Sequence, residues 1–561
     1  MKKGHTAIVF CLSVMLAVVS GCSMTAKGTV RPDSAAGKAG TAAAAEAAAE
    51  EAVTEEVYEG DIGSIPCETE VYEAYEMPAM ATALFAYGPE GEMWAEDHEF
   101  NTEEYSYTKE NPFRSVRTAP FSTFAADVDT ASYANMRRQI LQNGSVVPDS
   151  VRIEEMINYF HYDYPEPEGE EPFSVTVEIT DCPWNEDTQL MMIGLQAKKP
   201  DTENMPQSNL VFLIDVSGSM DEKNKLPLVQ RSFMTLVENL DKDDRVSVIT
   251  YSSGEEIVLD GVPAGEKDRI MSAIEELEAY GSTNGENALN MAYEIAEKNY
   301  IKNGNNRIIM ATDGDFNVGI TSEGELTRLI QQKARGGISL SVLGYGMGNY
   351  KDNKLESLAD HGRGNYAYID SIDEARKVLV EEAGGTLFSV AKDVKLQLEF
   401  NPGKIKGYRL IGYENRAMAA EEFADDTKTG GEIGAGHQVT VLYELVPADS
   451  SFEIPEVDSK YASDAAENST DELLTLNIRY KEPDRDESRL LAFPVTEDAV
   501  SESMSESMNW AAGTAQAGMI MKGSAYAGTS SIEDIRERLK PLSTDDFRDE
   551  FLYLLRKYNA E

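Results

Sequence analysis

Cysteine is scarce, with four in 561 residues, which excludes a disulfide-stapled scaffold. The five histidines (His5, His98, His161, His361 and His437) are scattered and form no His-Glu-x-x-His zinc motif. No glycine-rich phosphate loop closing on Lys-Ser/Thr is present, and the glycines of residues 344–348 have the wrong spacing for a dinucleotide fingerprint. Positive charge is also short. Lys plus Arg is 50 against 99 Asp plus Glu, so 50 − 99 = −49, a field that repels phosphate backbones and excludes a nucleic-acid binder. After the first 20 residues no stretch approaches the roughly 18 apolar residues of a membrane span. What is there suffices for folding: 42% apolar and 8% aromatic residues build globular cores, and the length predicts three or four domains.

Lys2 and Lys3 precede an apolar run over residues 7–19, too short to span a bilayer but suited to a secretory signal. The run ends Val19-Ser20-Gly21-Cys22, which resembles a bacterial lipobox. That resemblance implies cleavage before Cys22 and lipid on that cysteine, so residues 1–22 are an address. The mature chain is then expected on the extracytoplasmic face of a bacterial membrane, anchored without crossing it. Residues 23–112 read as an acidic, disordered tether. Positions 41–110 hold 19 Asp/Glu against Lys109 alone, a net −18, and like charges keep such a segment expanded. As a flexible chain its reach is about 50 Å. Cys67 lies in this tether, so although a disulfide to Cys182 is open in an oxidising compartment, two unpaired thiols are the expectation.

From residue 113 the composition becomes that of a folded body. Residues 113–206 are expected to give two short helices, with Asp129 or Thr130 as an N-cap, followed by alternating strands around 173–179 and 190–196. Strand patterns recur over 386–497, and residues 498–561 are helical, with an N-cap in Ser543-Thr544-Asp545-Asp546. The turn Asp425-Asp426-Thr427-Lys428-Thr429-Gly430 lacks the closing Glu of a calcium loop and is expected to be a hairpin turn. Between the β-rich flanks, residues 207–385 alternate strands with helices. The predicted fold is therefore α/β: a doubly wound, mostly parallel sheet inserted in a β-sandwich formed by its flanks.

Asn209-Leu210-Val211-Phe212-Leu213-Ile214 has the continuous apolar pattern of a strand buried on both faces. Ligands bind beyond the carboxyl ends of such strands. There stands Asp215-Val216-Ser217-Gly218-Ser219, a weak signal alone. Two further loops on the same edge carry Gly281-Ser282-Thr283-Asn284 and Thr312-Asp313-Gly314-Asp315. Two carboxylates (Asp215, Asp313) and three hydroxyls (Ser217, Ser219, Thr283) suit a hard divalent ion, Mg²⁺ first, with Mn²⁺ or Ca²⁺ as alternatives. If Asp313 acts through water, the ion retains net positive charge and an open position for an incoming carboxylate.

This five-residue set resembles the metal-ion-dependent adhesion site of a von Willebrand factor type A domain. The segments around residues 122–133 and 154–160 resemble the N-terminal region of bacterial lipoproteins carrying that domain. Residues 431–437 and 547–551 resemble their C-terminal domain of unknown function. The resemblance implies a non-enzymatic, membrane-anchored binding protein whose metal captures an Asp or Glu side chain of a protein partner. A metal-dependent hydrolase and a structural envelope protein with a purely stabilising metal are the alternatives.

Overall fold

The computed structural model describes residues 103–126, 129–199, 205–283, 287–314, 323–348, 350–454, 470–483, 485 and 487–559. The signal sequence, Cys22, nearly all of the tether, Cys67, Asn284 and Asp315 lie outside them.

Among the described residues a six-stranded α/β sheet forms from the inserted segment. Its strands stand side by side in the order Tyr366–Ile369, Ser339–Tyr345, Asn305–Thr312, Ser208–Asp215, Arg245–Tyr251 and Glu255–Pro263. All neighbours are parallel except the last pair, where Glu255–Pro263 returns antiparallel along an edge. The central strand, Ser208–Asp215, is buried along its whole length because helices cover both faces. Leu210, Phe212 and Ile214 pack with Val229 and Phe233 of the Leu226–Asn239 helix on one side. Val211 and Leu213 pack with Leu289, Ala292 and Tyr293 of the Ala288–Lys298 helix on the other.

The flanks meet as expected in a sandwich. One sheet interleaves Gln189–Ala197 and Phe173–Asp181 from before the insertion with Ile405–Ile411 and Gln438–Pro447 from after it. The facing sheet pairs Phe121–Ala125 with Ser389–Phe400, which also pairs with Glu472–Lys481. Strand alternation then serves two cores at once. Met191, Ile193 and Leu195 point into the sandwich, while Leu190 and Met192 face a helical layer built on Trp510, Phe551, Tyr133 and Tyr159.

That layer comprises the helices Ala131–Asn143, Ile153–Asn158, Glu506–Lys522, Ile532–Leu539 and Asp546–Lys557. The first also touches the α/β unit, since Ala131 and Ala134 belong to the core beneath it. Thr130 does occupy its N-cap position, yet its side chain makes no capping bond. Glu155 takes that role from a distance, accepting from the Ser132 N–H at 2.8 Å. Asp129 instead accepts from the Tyr366 N–H at 2.9 Å and from Arg416 at 3.2 Å, tying the helix entry to the inserted sheet. Asp545 does cap Asp546–Lys557, accepting from the Arg548 N–H at 2.9 Å. In the acidic turn, Asp425 accepts from Thr427 and Asp426 from Arg479 and Ser488, so these carboxylates serve the turn and its neighbouring strands. Cys182 is a buried free thiol.

Candidate metal centre

The chain leaves the central strand for a neighbour on one side, Arg245–Tyr251, and later for one on the other, Asn305–Thr312. The loops at their carboxyl ends therefore diverge and open a crevice, the topological switch point of an open α/β sheet. Asp215 is the last residue of the central strand and Asp313 follows the last residue of its neighbour. Both carboxylates are buried, at 0% and 1% exposure.

Backbone bonds fix the loop after Asp215. The Asp215 Oδ1 accepts from the Ser217 N–H at 2.9 Å, a local turn that swings the serine back over the strand end. Ser217 and Ser219 hydroxyls then lie 3.1 Å apart, Ser217 buried and Ser219 exposed. The Gly218 N–H donates to Gly281 O at 3.0 Å and the Tyr280 N–H to Val216 O at 2.8 Å, which draws the loop carrying half-buried Thr283 alongside the serines. Gly281 takes φ +75°, and a Cβ there would stand 2.4 Å from Ser253 Oγ, so this close approach of loops requires glycine.

The electrostatics are those of a concentrated negative site. Burial pushes the Asp215 carboxyl up to about 6, opposed by its hydrogen bonds from Ser217 and reinforced by the Asp313 charge. Thr312 Oγ1 donates to Asp215 Oδ2 at 3.3 Å and accepts from the Gly314 N–H at 3.2 Å. Tyr251, also buried here, has its phenol raised well above its ordinary value by burial and by the Asp215 charge.

Sequence reasoning missed Lys225. Its side chain is 5% exposed, and its Nζ donates to Ser219 O at 2.9 Å and lies 3.3 Å from Asp313 Oδ2 and 3.0 Å from Glu222. It sits ten residues after Asp215 among Lys223, Asp221 and Glu222, so in sequence it looks like one more solvated charge. Only the fold shows it turned inward.

The donor chemistry fits a hard divalent cation. Asp313 has Lys225 beside it, but buried Asp215 accepts hydrogen bonds from the neutral Ser217 N–H and Thr312 hydroxyl, so a cation bound there lowers the cost of its burial. Asp215, Ser217, Ser219 and Asp313 stand at one strand edge, and the Thr283 loop is bonded to the serine loop. Asp315 falls outside the described residues.

Comparison with known proteins bears on the same segments. Residues 209–381 match the model of the von Willebrand factor type A domain, residues 99–192 that of von Willebrand factor, and residues 385–560 that of the C-terminal region of the uncharacterized protein YfbK. YfbK of Escherichia coli (strain K12) is 40% identical over 467 residues, covering 81% of this chain and 80% of YfbK. Inter alpha-trypsin inhibitor, heavy chain 4, of Mus musculus is 27% identical over 180 residues, covering 30% of this chain and 19% of that protein. The solved structure of a von Willebrand factor type A protein from Catenulispora acidiphila aligns with 71% of this chain and 91% of its own, at 14% identity and a TM-score of 0.42.

Proposed function

The chain belongs to the YfbK family of proteins with a von Willebrand factor type A domain, an interaction and adhesion module, and on that premise we propose a metal-dependent binding protein. Asp215, Ser217, Ser219, Thr283 and Asp313 would hold Mg²⁺, with Mn²⁺ or Ca²⁺ able to replace it. When bound, the ion supplies an electropositive open position that takes an Asp or Glu side chain of a protein partner. The chain's own residues do the rest. The strand ends hold the two carboxylates apart from water, the Ser217 turn aims the hydroxyls, and the surrounding loops choose among partners. The observation that carries this reading is two buried aspartates on adjacent parallel strands, beside a serine pair 3.1 Å apart, at the switch point of the sheet.

Binding is favoured over hydrolysis by what flanks the aspartates. Lys225 is committed as a donor to Ser219 and Asp313, and Tyr251 has its phenol raised far above neutrality. Neither is a general base. Cys22 would carry the lipid that holds this body at the extracytoplasmic face of a bacterial membrane.

Calorimetric titration of the full chain with Mg²⁺ tests the site, with Asp215→Ala as the control that should lose the heat while keeping its circular dichroism spectrum. Crosslinking capture from intact cells, with Mg²⁺ and with EDTA, tests the partner. Absence of Mg²⁺ binding at millimolar concentration, or capture indifferent to both EDTA and Asp215→Ala, would overturn the reading.

A further inference from the structure

The opposite pole of the α/β sheet carries a second feature. A cleft of about 670 Å³ opens between the start of the Asn305–Thr312 strand, the turn at Gly336 and Gly337 that ends the Glu323–Arg335 helix, and the root of the sandwich strand Ser389–Phe400. Eight of the described side chains lining it are lysine or arginine and one, Glu432, is acidic. The chain as a whole has about twice as many acidic as basic residues, so this is a local inversion of charge.

Part of that charge is balanced nearby. Lys199 pairs with Glu166 at 2.6 Å, Lys481 and Arg363 share Asp393 at 2.8 and 3.6 Å, and Arg485 pairs with Glu482 at 2.9 Å. Counting Glu432 with these three carboxylates leaves 8 − 4 = 4 cations in excess among the described residues. At the back of the cleft stands Arg307, 3% exposed, its Nη1 donating to Ser341 Oγ at 2.7 Å. Its Nε has no hydrogen-bond partner, and no described carboxylate lies within ion-pair distance. A buried guanidinium with only the Glu432 charge acting on it is incompletely compensated, and its planar fork matches the two oxygens of a phosphate or carboxylate.

We propose that this cleft is a binding site for a small multivalent oxyanion, an organic phosphate or polycarboxylate, with Arg307 as its buried anchor and Arg335 and Arg485 at its rim. The volume lies in the range of small-molecule sites. Along the shared strand Arg307 is six residues from Asp313, about 20 Å at the rise of a β-strand, so the oxyanion site is separate from the metal centre and does not depend on it. A phospholipid headgroup presents the same chemistry as a soluble phosphate.

Titration calorimetry on the full chain at low ionic strength, with EDTA present throughout, distinguishes these sources. Pyrophosphate and citrate probe soluble ligands, and phosphatidylglycerol vesicles against phosphatidylcholine vesicles probe a headgroup. Saturable binding of at least one of these anionic probes is expected. The double variant Arg335→Glu/Arg485→Glu, at exposed positions that leave the fold alone, should weaken it by roughly tenfold or more. Arg307→Gln should abolish it. Binding confined to phosphatidylglycerol vesicles and lost in the rim variant would assign the anion to a lipid. No saturable binding of any probe at millimolar concentration, or binding unchanged in the rim variant, would overturn the proposal.

Discussion

Arg137 joins three parts of the fold, and its loss should be severe. Its guanidinium donates through Nε to Asp370 Oδ2 at 2.8 Å, through Nη2 to Glu374 Oε2 at 2.8 Å, and through Nη1 to Glu550 Oε1 at 3.1 Å and the Tyr159 hydroxyl at 3.0 Å. The arginine belongs to the helix before the insertion, Asp370 and Glu374 to the α/β unit, and Glu550 to the last helix. In Arg137→Met the buried Glu374, 2% exposed, keeps only Lys377 as a nearby opposing charge. Breaking such a pair costs about 3–5 kcal/mol. With a denaturant slope of about 5 kcal/mol per molar guanidinium, the midpoint should fall by about 0.8 M. The cost should depend on pH. Burial raises the Glu374 carboxyl above its ordinary value while Arg137 and Lys377 hold it down, so losing Arg137 raises it further. A carboxyl raised in the folded state destabilises as pH climbs from its unfolded value through its folded one. The variant should therefore be crippled at pH 8 and milder at pH 5, and Arg137→Met/Glu374→Gln should regain much of the loss at pH 8. A midpoint shift under about 0.2 M, or one identical at both pH values, would refute the reasoning.

At the metal centre, Lys225→Met removes a fixed positive charge 3.3 Å from Asp313 and should tighten Mg²⁺ by about tenfold in calorimetry, whereas weaker binding would mean that the lysine serves chiefly to hold Ser219. Glu414, pushed up to about 7 by burial with the Glu154 charge beside it, destabilises the fold as pH rises from about 4.5 toward 7. Glu414→Gln should accordingly raise the melting temperature at pH 8 and leave it unchanged at pH 4, and equal effects at both would contradict the assignment. Gly194→Ala would place a methyl 2.3 Å from the Tyr164 ring that covers this strand, at a cost of about 1–3 kcal/mol read by thermal melting. The Cys182 thiol, pushed up to about 12 by burial, should resist iodoacetamide at pH 8 until the protein is denatured, and rapid native labelling would contradict its burial.

The inserted α/β unit was legible because buried parallel strands carry unbroken apolar runs, as in residues 210–214 and 308–311. The sequence missed strands whose apolar pattern is interrupted. Glu255–Pro263 is an edge strand with one buried face and Gly261 at φ +60°, and Ile405–Ile411 holds Lys406, Gly407 and Arg409. Arg409 is especially misleading. It is 2% exposed only because Glu444, its cross-strand partner, bonds it at 2.9 Å and Tyr526 lies 4.2 Å from its guanidinium. Such a pairing has no local signature, since each charge is explained by a residue far away in the chain.

The same distinction divides the two poles of the sheet. Four of the metal-edge residues could be nominated from sequence because they lie at or just beyond a strand's carboxyl end, where local order predicts a loop, and because Asp-x-Ser-x-Ser repeats within five residues, while Thr283 precedes the Ala288–Lys298 helix. Lys225 could not be, since its role depends on Asp313, 88 residues on. The basic cleft had no sequence signal at all. Arg335 follows Arg307 by 28 residues and Arg485 lies another 150 on, and in a chain of net charge −49 each looks like a counter-charge on an acidic surface. Their convergence follows from the insertion itself, because closing the sandwich across the inserted unit brings the root of the Ser389–Phe400 strand against the base of the α/β sheet. A variant that loosens this junction should therefore weaken oxyanion binding before it affects Mg²⁺.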